Sequence, residues 1–159
     1  MSYEKSNKLH IVAVTAVIRN REGKYLVLKR HPRETAFPEK WCFPGGKVDS
    51  EDSIEETLVK EIKEEAGLVM KPGKILLKDA CFTRPDGQTV KVLAYLVEVE
   101  DGEVKFDAND FTEYRWVTAE ELKKLLHVGL EEEIRKAEEI INLGIPLEKL
   151  QTKSEKPWG

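Results

Sequence analysis

Three glutamates near the end of one acidic segment have the residue type and spacing most suggestive of chemistry. The segment, Gly46 to Leu68, contains eight acidic residues and three lysines among its 23 positions. Glu61, Glu64 and Glu65 are spaced i, i+3 and i+4, so in a helix all three project from one side. Two of them fall in the last turn, where the helix dipole disfavours negative charge. Carboxylates clustered against these forces indicate a site for hard divalent cations, which take oxygen ligands.

An ordinary solvated helix would explain part of the same segment. Helices rich in Glu and Lys are common, and pairs four residues apart support them modestly. Glu56, Lys60 and Glu64 fit that pattern. Glu61 and Glu65 do not, because they lie beside the predicted apolar stripe rather than opposite it. Two hypotheses therefore stay open at this point, a metal site and a structural acidic helix without a site.

The helix that carries these glutamates is predicted over about Ser53 to Ala66. Its apolar positions recur every fourth residue, which gives one buried stripe; they are Ile54, Leu58, Ile62 and Ala66. Ser50, Asp52 and Ser53 are candidate N-cap residues, and Gly67 is a natural residue for the C-terminal end.

Strands are predicted on both sides of this helix. Runs rich in β-branched residues predict strands over 9–20, 25–30, 75–84, 89–100 and 111–118. Turn residues at Asn20 to Lys24 and at Pro85 to Gln88 predict two hairpins, and Pro44-Gly45-Gly46 predicts a tight turn. Helices are predicted after Thr118 and over 129–144. This order predicts the α/β class, as a mixed sandwich with a sheet covered by helices.

Composition narrows the class of protein. The 159 residues predict a single domain, 1–159, with a core at about 9–143 and a loose C-terminal tail. A net charge of −4 disfavours a general nucleic-acid binder. Two cysteines without a C-x-x-C pair disfavour a cysteine-ligated zinc site. Because the N-terminus lacks the apolar run of a signal peptide and no stretch approaches the roughly 18 apolar residues of a membrane span, we expect a cytoplasmic protein.

The spacing of the acidic segment resembles the Nudix box, Gly-x5-Glu-x7-Arg-Glu-U-x-Glu-Glu-x-Gly-U, in which U is a bulky aliphatic residue. Seven positions match in register: Gly46, Glu61, Ile62, Glu64, Glu65, Gly67 and Leu68. The preceding PGGK also resembles the family's usual lead-in. Two positions depart from the pattern, since Asp52 replaces the box Glu and Lys60 replaces the box Arg. In the family these two are thought to hold the box together, so their replacement puts the rate in doubt more than the reaction class.

The resemblance, to MutT-like Nudix hydrolases, implies both a fold and an activity. It implies an α/β/α sandwich with a mixed β-sheet. The implied reaction is hydrolysis, by water attack on phosphorus, of a nucleoside diphosphate linked to another moiety, as in a nucleoside triphosphate, an oxidised nucleotide or a nucleotide sugar. Mg²⁺ or Mn²⁺ would be held by Glu61, Glu64, Glu65 and the Gly45 carbonyl. The alternative, a non-catalytic nucleotide-binding sensor, is disfavoured because all three glutamates are retained.

Further site residues follow from the same resemblance. The general base would come from the glutamate cluster or from a later acid, Asp110 or Glu113, of which Glu113 is preferred. The phosphate-contacting and base-contacting candidates, each of which could equally be a surface or core residue, are Arg30, Lys47, Phe43 and Phe82. The predicted partner is a small nucleotide, with no nucleic acid and no membrane, and many relatives pair as homodimers. Substrate choice would depend on the loops His31 to Lys40 and Glu100 to Asp110.

Overall fold

The computed structural model describes residues 8–144 and Pro146. The strands are β1 (Ile11–Ile18), β2 (Tyr25–Arg30), β3 (Trp41–Cys42), β4 (Gly45–Lys47), β5 (Ile75–Thr83), β6 (Thr89–Val97) and β7 (Phe111–Val117). The helices are α1 (Ile54–Ala66), α2 (Ala119–Leu122) and α3 (Glu131–Asn142). The predicted loose tail lies outside the described residues, and no helix within them is long and apolar enough to span a membrane.

The strands form two sheets, one mixed and one antiparallel. The first sheet has the order β4-β1-β6-β5, in which β1 runs parallel to β6 and the other neighbours are antiparallel. The parallel pair is continuous from Ile11↔Val90 to Ile18↔Val97. The second sheet, β3-β2-β7, is antiparallel throughout. The prediction of a mixed β-sheet is therefore confirmed.

Helices cover the β layer on two opposite faces. On β1, Val14 and Ile18 pack in a buried cluster with residues of α1, including Leu58. Val17, which points to the other face, packs in a second cluster with Ile134 of α3. Successive strand residues point to opposite faces, so β1 is buried on both. This arrangement is the α/β/α sandwich that the sequence predicted.

The predicted hairpin between the first two strands is wrong. The turn exists, with Asn20 N–H donating to the Lys24 carbonyl at 2.9 Å. Within the described residues, however, only the isolated bridge Arg19↔Tyr25 joins the two strands, and they belong to different sheets. β1 lies between β4 and β6, and β2 lies between β3 and β7. Both are therefore central strands, and both are buried on their two faces.

The predicted tight turn at Pro44-Gly45-Gly46 is also wrong. Both glycines lie in β4, paired antiparallel with Thr15 and Val14 of β1. A Cβ at position 45 would lie 2.2 Å from the Val14 carbonyl oxygen. Close approach of two backbones, rather than a turn, therefore requires glycine here.

Helix α1 matches its prediction closely. Ser53 is the N-cap, and its side chain accepts a hydrogen bond from Glu56 N–H at 3.0 Å. Gly67 ends the helix at φ 69°, a left-handed conformation that favours glycine. α1 packs against β4 and β1, so its last two turns reach the glycines of β4.

Candidate active site

The Glu65 carboxylate is attached to the backbone of β4. In the ladder with β1, Gly45 faces Thr15 at a non-hydrogen-bonded position, so its N–H and carbonyl both point away from β1. The N–H donates to Glu65 Oε2 at 3.0 Å. The predicted metal-binding carbonyl of Gly45 is thereby directed to the edge of the sheet where Glu65 lies.

The Glu61 carboxylate lies directly over the second glycine. A Cβ at Gly46 would be 2.4 Å from Glu61 Cδ and within 2.8 Å of both carboxylate oxygens. Glycine at this position therefore leaves the space that the carboxylate occupies. Glu64, one turn along α1, is exposed. The structure thus brings Glu61 and Glu65 onto the two glycines, with Glu64 beside them on the solvent side.

The electrostatic environment of the site favours the binding of a cation. The pKa of Glu65 is raised to about 8, chiefly by burial; the charges of Glu61 and Asp110 contribute to this shift, and the Gly45 N–H and Arg30 oppose it. Burial also raises the pKa of Glu61, assisted by Glu64 and Asp110, while Lys60 lowers it. A carboxylate whose ionised form is disfavoured in this way is stabilised by a nearby cation.

The oxygen atoms available at this site suit a hard divalent cation. Carboxylate and carbonyl oxygens are the ligands that Mg²⁺ and Mn²⁺ prefer. Across residues 8–144, acidic, histidine and cysteine side chains do not close into a group of three or more metal ligands. Mg²⁺ usually takes one or two carboxylates and completes its shell with water and substrate phosphates, so an open arrangement suits it.

A cavity of about 490 Å³ opens beside these carboxylates. Its wall includes Gly45, Gly46 and Glu65, together with residues from both sheets and from the start of α3. Such a volume is typical of small-molecule sites. The cavity therefore places a nucleotide-sized space next to the candidate cation site.

Three of the four predicted substrate residues line this cavity. Arg30, at the end of β2, donates from Nε to the Ala36 carbonyl at 2.8 Å and pairs with Glu34 at 3.4 Å. Phe43 is 6% exposed and belongs to the core as well as to the cavity wall, whereas Phe82 is 51% exposed. Lys47 is exposed on β4 and does not line the cavity.

The two candidate later acids occupy different environments. Glu113 faces Lys29 across the β2–β7 ladder and pairs with Arg115 at 3.1 Å. Asp110 acts electrostatically on both Glu61 and Glu65, and its own pKa is raised by burial and by Asp107 and Glu34. The preference for Glu113 stays a prediction, but the structure connects Asp110 more directly to the glutamates.

The two departures from the Nudix box do not pair with each other. Asp52 is half-buried before α1 and Lys60 is exposed on the helix. No ion pair joins them within residues 8–144. Lys60 instead acts on Glu61, whose pKa it lowers. The lysine therefore retains an electrostatic link to the glutamates without a contact to Asp52.

Several cavity residues escape prediction from the sequence. Phe37 of the 31–40 loop, Lys78 of β5 and Glu133 of α3 all line the cavity. The 31–40 loop was expected to affect substrate choice, and Phe37 gives that expectation a specific side chain. Lys78 and Glu133 lie 55 positions apart and carry no motif, so only the packing of α3 on β5 brings them together.

Comparison with known families identifies the class of protein. The family model described as the NUDIX domain matches residues 9–137, and the chain belongs to the Nudix family. It is a Nudix hydrolase, an enzyme that acts on nucleoside diphosphate derivatives.

Particular relatives agree with this class. The chain is 33% identical over 118 residues to a nucleoside triphosphatase, NudI of Klebsiella pneumoniae (strain 342), a match that covers 69% of this chain and 83% of the relative. It is 35% identical over 100 residues to an ADP-ribose pyrophosphatase of Methanocaldococcus jannaschii, covering 59% of this chain and 54% of that protein. The crystal structure of a MutT protein from Methanosarcina mazei Go1 superposes with a TM-score of 0.66 at 29% identity, covering 82% of this chain and 95% of that one.

Proposed function

We propose that the chain is a divalent-metal-dependent pyrophosphohydrolase whose substrate is a nucleoside triphosphate. The observation that supports it best is the placement of Glu61 and Glu65 on Gly46 and Gly45 at the wall of a nucleotide-sized cavity. The similarity to a nucleoside triphosphatase over 83% of that relative's length favours a triphosphate over a nucleotide sugar or an oxidised nucleotide.

The proposed roles divide among four groups of side chains. Glu61, Glu64, Glu65 and the Gly45 carbonyl hold Mg²⁺ or Mn²⁺, which when bound neutralises phosphate charge and lowers the pKa of water. Glu65 is oriented by the Gly45 N–H and Glu61 by its seat over Gly46.

The remaining roles concern the substrate and the proton. Arg30 lies in the cavity wall and binds phosphate oxygens, assisted from outside by Lys47. Phe43 and Phe82 contact the base. A carboxylate, from the glutamates or from Asp110 or Glu113, accepts the proton of the attacking water. The cytoplasmic location and the homodimer remain predictions.

A substrate panel with a glutamate variant tests this function. The protein is incubated with Mg²⁺ and nucleoside triphosphates, ADP-ribose and nucleotide sugars, and the products are identified by phosphorus NMR. We expect nucleoside monophosphate and pyrophosphate, and we expect Glu64→Gln to lower kcat by about 100-fold or more because it removes a charge that holds the metal.

The matched control is Glu55→Gln, which removes an exposed carboxylate from the first turn of the same helix. Equal activity of Glu64→Gln and the unmodified protein would contradict the assignment of the site. Nucleotide binding without turnover of any compound would favour the sensor alternative. Mg²⁺ should also raise the melting temperature, since a ligand that binds the native state alone stabilises it.

A further inference from the structure

Two charged side chains meet in the cavity wall away from the glutamates of α1. Lys78 extends from β5 and Glu133 from the first turn of α3, and Lys78 Nζ lies 3.4 Å from Glu133 Oε1. Both residues line the cavity. Glu133 is 8% exposed, which is unusual for a glutamate. A buried charge needs hydrogen-bond partners, so the number of partners available to this carboxylate matters.

The second oxygen of Glu133 has no hydrogen-bond donor. Oε2 is buried, and within the described residues no N–H or O–H reaches it. An unsatisfied acceptor of this kind destabilises a protein, and most buried polar atoms are paired. Oε2 itself is closed off from solvent, while Glu133 as a residue lines the cavity, so a small rotation of the carboxylate would present this oxygen to a ligand. The cavity wall thus contains a carboxylate oxygen that lacks a hydrogen-bond donor in the described part of the chain and lies one side-chain rotation from the cavity.

Lys78 has a second ion-pair partner in addition to Glu133. Its Nζ lies 3.0 Å from Glu132 Oε2 as well, and Glu132 is the largest cause of the raised pKa of Lys78. Lys78 has three donors and, among the described residues, two carboxylate contacts, so one donor remains. The pair therefore has one donor and one acceptor without partners in the neighbouring side chains of the cavity wall that the structure describes.

The surroundings of this pair suit a flat ring. The apolar side chains of Phe43, Phe82 and Leu130 line the same cavity. Aromatic faces stack on planar ligands, and a low local dielectric strengthens any hydrogen bond made there. A nucleobase presents a flat ring whose edge carries neighbouring N–H donors and acceptors.

We propose that Glu133 accepts a hydrogen bond from an N–H of the substrate's base, while Lys78 donates to a neighbouring acceptor on the same edge. This inference rests on the proposed nucleotide substrate. It makes Glu133 a specificity-determining residue that selects bases bearing an N–H donor. Bases without such a donor leave the carboxylate unsatisfied and are rejected.

The test compares bases of one shape with and without a donor. Purine riboside 5′-monophosphate has the adenine ring system but no N–H on its base edge, whereas AMP and GMP have such donors. We expect the unmodified protein to bind the tighter of AMP and GMP about 10- to 100-fold more strongly than the purine riboside compound in calorimetric titrations. Glu133→Gln should reduce this ratio to within about 3-fold of unity, because its neutral amide is a weaker acceptor than a carboxylate and its NH₂ can donate to the ring nitrogens of the purine riboside compound.

Glu132→Gln is the matched control, because Glu132 also pairs with Lys78 but is more exposed and does not line the cavity. This variant should keep the ratio. A ratio unchanged in Glu133→Gln, an equal loss in both variants, or no binding of any monophosphate would overturn the inference. Loss of the ratio in Glu133→Gln alone supports it even if no triphosphate is hydrolysed, so failure of the proposed function would be seen separately.

Discussion

Gly45 and Gly46 are neighbours in β4, but the structure requires glycine at each for a different reason. A Cβ at 45 would collide with the backbone of β1, at 2.2 Å from the Val14 carbonyl oxygen. The three atoms nearest to a Cβ at 46 all belong to the end of the Glu61 side chain. A strand backbone cannot move without disturbing its sheet, whereas a carboxylate can rotate away. One glycine therefore protects the fold, and the other protects the position of a functional group.

This difference predicts opposite results for two alanine substitutions. Gly46→Ala should lower kcat by about 10-fold or more, because Glu61 is displaced, while the free energy of unfolding changes by less than about 1 kcal/mol. Gly45→Ala should lower the free energy of unfolding by about 2 kcal/mol or more, because it overpacks two strands. Urea denaturation and steady-state kinetics on both variants distinguish these effects.

The control is the effect of Gly46→Ala on Mg²⁺ binding, which should weaken in parallel with kcat. Full activity of Gly46→Ala would show that the seat of Glu61 over Gly46 does not matter for the reaction. A Gly45→Ala protein as stable as the original would contradict the close approach of β4 to β1.

At the scale of the element, α1 is defined by its caps as well as by its apolar stripe. Ser53→Ala removes the side-chain acceptor of Glu56 N–H and should lower the free energy of unfolding by about 1 kcal/mol. Ser53→Asp keeps an acceptor and adds a favourable charge at the helix N-terminus, so it should retain the original stability. Denaturant titration of the three proteins measures this, and equal losses in Ala and Asp variants would disprove a capping role.

Helix α1 was predictable because everything that defines it is local. Ser53, Gly67 and the four-residue repeat lie within one short segment, and the predicted span 53–66 differs from the observed Ile54–Ala66 by one residue. The helix predicted after Thr118, over the segment AEELKKLL (119–126), was less accurate, since Thr118 caps α2 but the helix stops at Leu122. No glycine or repeat in the sequence marks that end.

Strand pairing was not predictable in the same way. The turn at Asn20 to Lys24 indicates that the chain reverses, but it does not say that β1 and β2 part into different sheets. That outcome depends on β6, β4 and β7, which are distant in sequence. Periodicity describes which face of a strand is buried, and it contains no information about the neighbour that covers each edge.

The candidate site likewise has a part that depends on local sequence and a part that depends on distant elements. Glu61, Glu64 and Glu65 share one helix, so their spacing alone brings them together. The link from Asp110 to these glutamates, and the pair of Lys78 and Glu133, join separate elements. A single acid or lysine has no distinguishing signal in a sequence, so Glu133 was missed, and the choice between Glu113 and Asp110 stays a prediction.

At the scale of the whole molecule, Tyr25 connects stability to pH. This side chain is fully buried at the start of β2. Burial, assisted by Glu138, raises the pKa of its hydroxyl from the usual 10 to about 12, although Arg19 opposes the shift. The neutral form is thus preferred in the native state. Between these two pKa values the unfolded chain loses its proton while the native protein keeps it, so stability falls as pH rises.

Tyr25→Phe should remove this alkaline loss. Between about pH 9 and about pH 11, the free energy of unfolding should fall by about 1.4 kcal/mol more in the unmodified protein than in the variant. Other titrating groups are common to both proteins and cancel in the difference. Urea denaturation at the two pH values gives the comparison, and parallel pH profiles for the two proteins would contradict the assignment to Tyr25.

The parallel pairing of β1 with β6 has a consequence for the order in which the chain folds. Partners such as Ile11 and Val90 are 79 positions apart, so the centre of the first sheet closes a long loop. Closing such a loop costs entropy before any contact repays it, and pairings of this range are slow to form. On the ribosome, α1 and its glutamates would emerge well before β6 completes the sheet beside them. The helix can form early because its contacts are local, but the cavity beside it can form only after β6 has been synthesised.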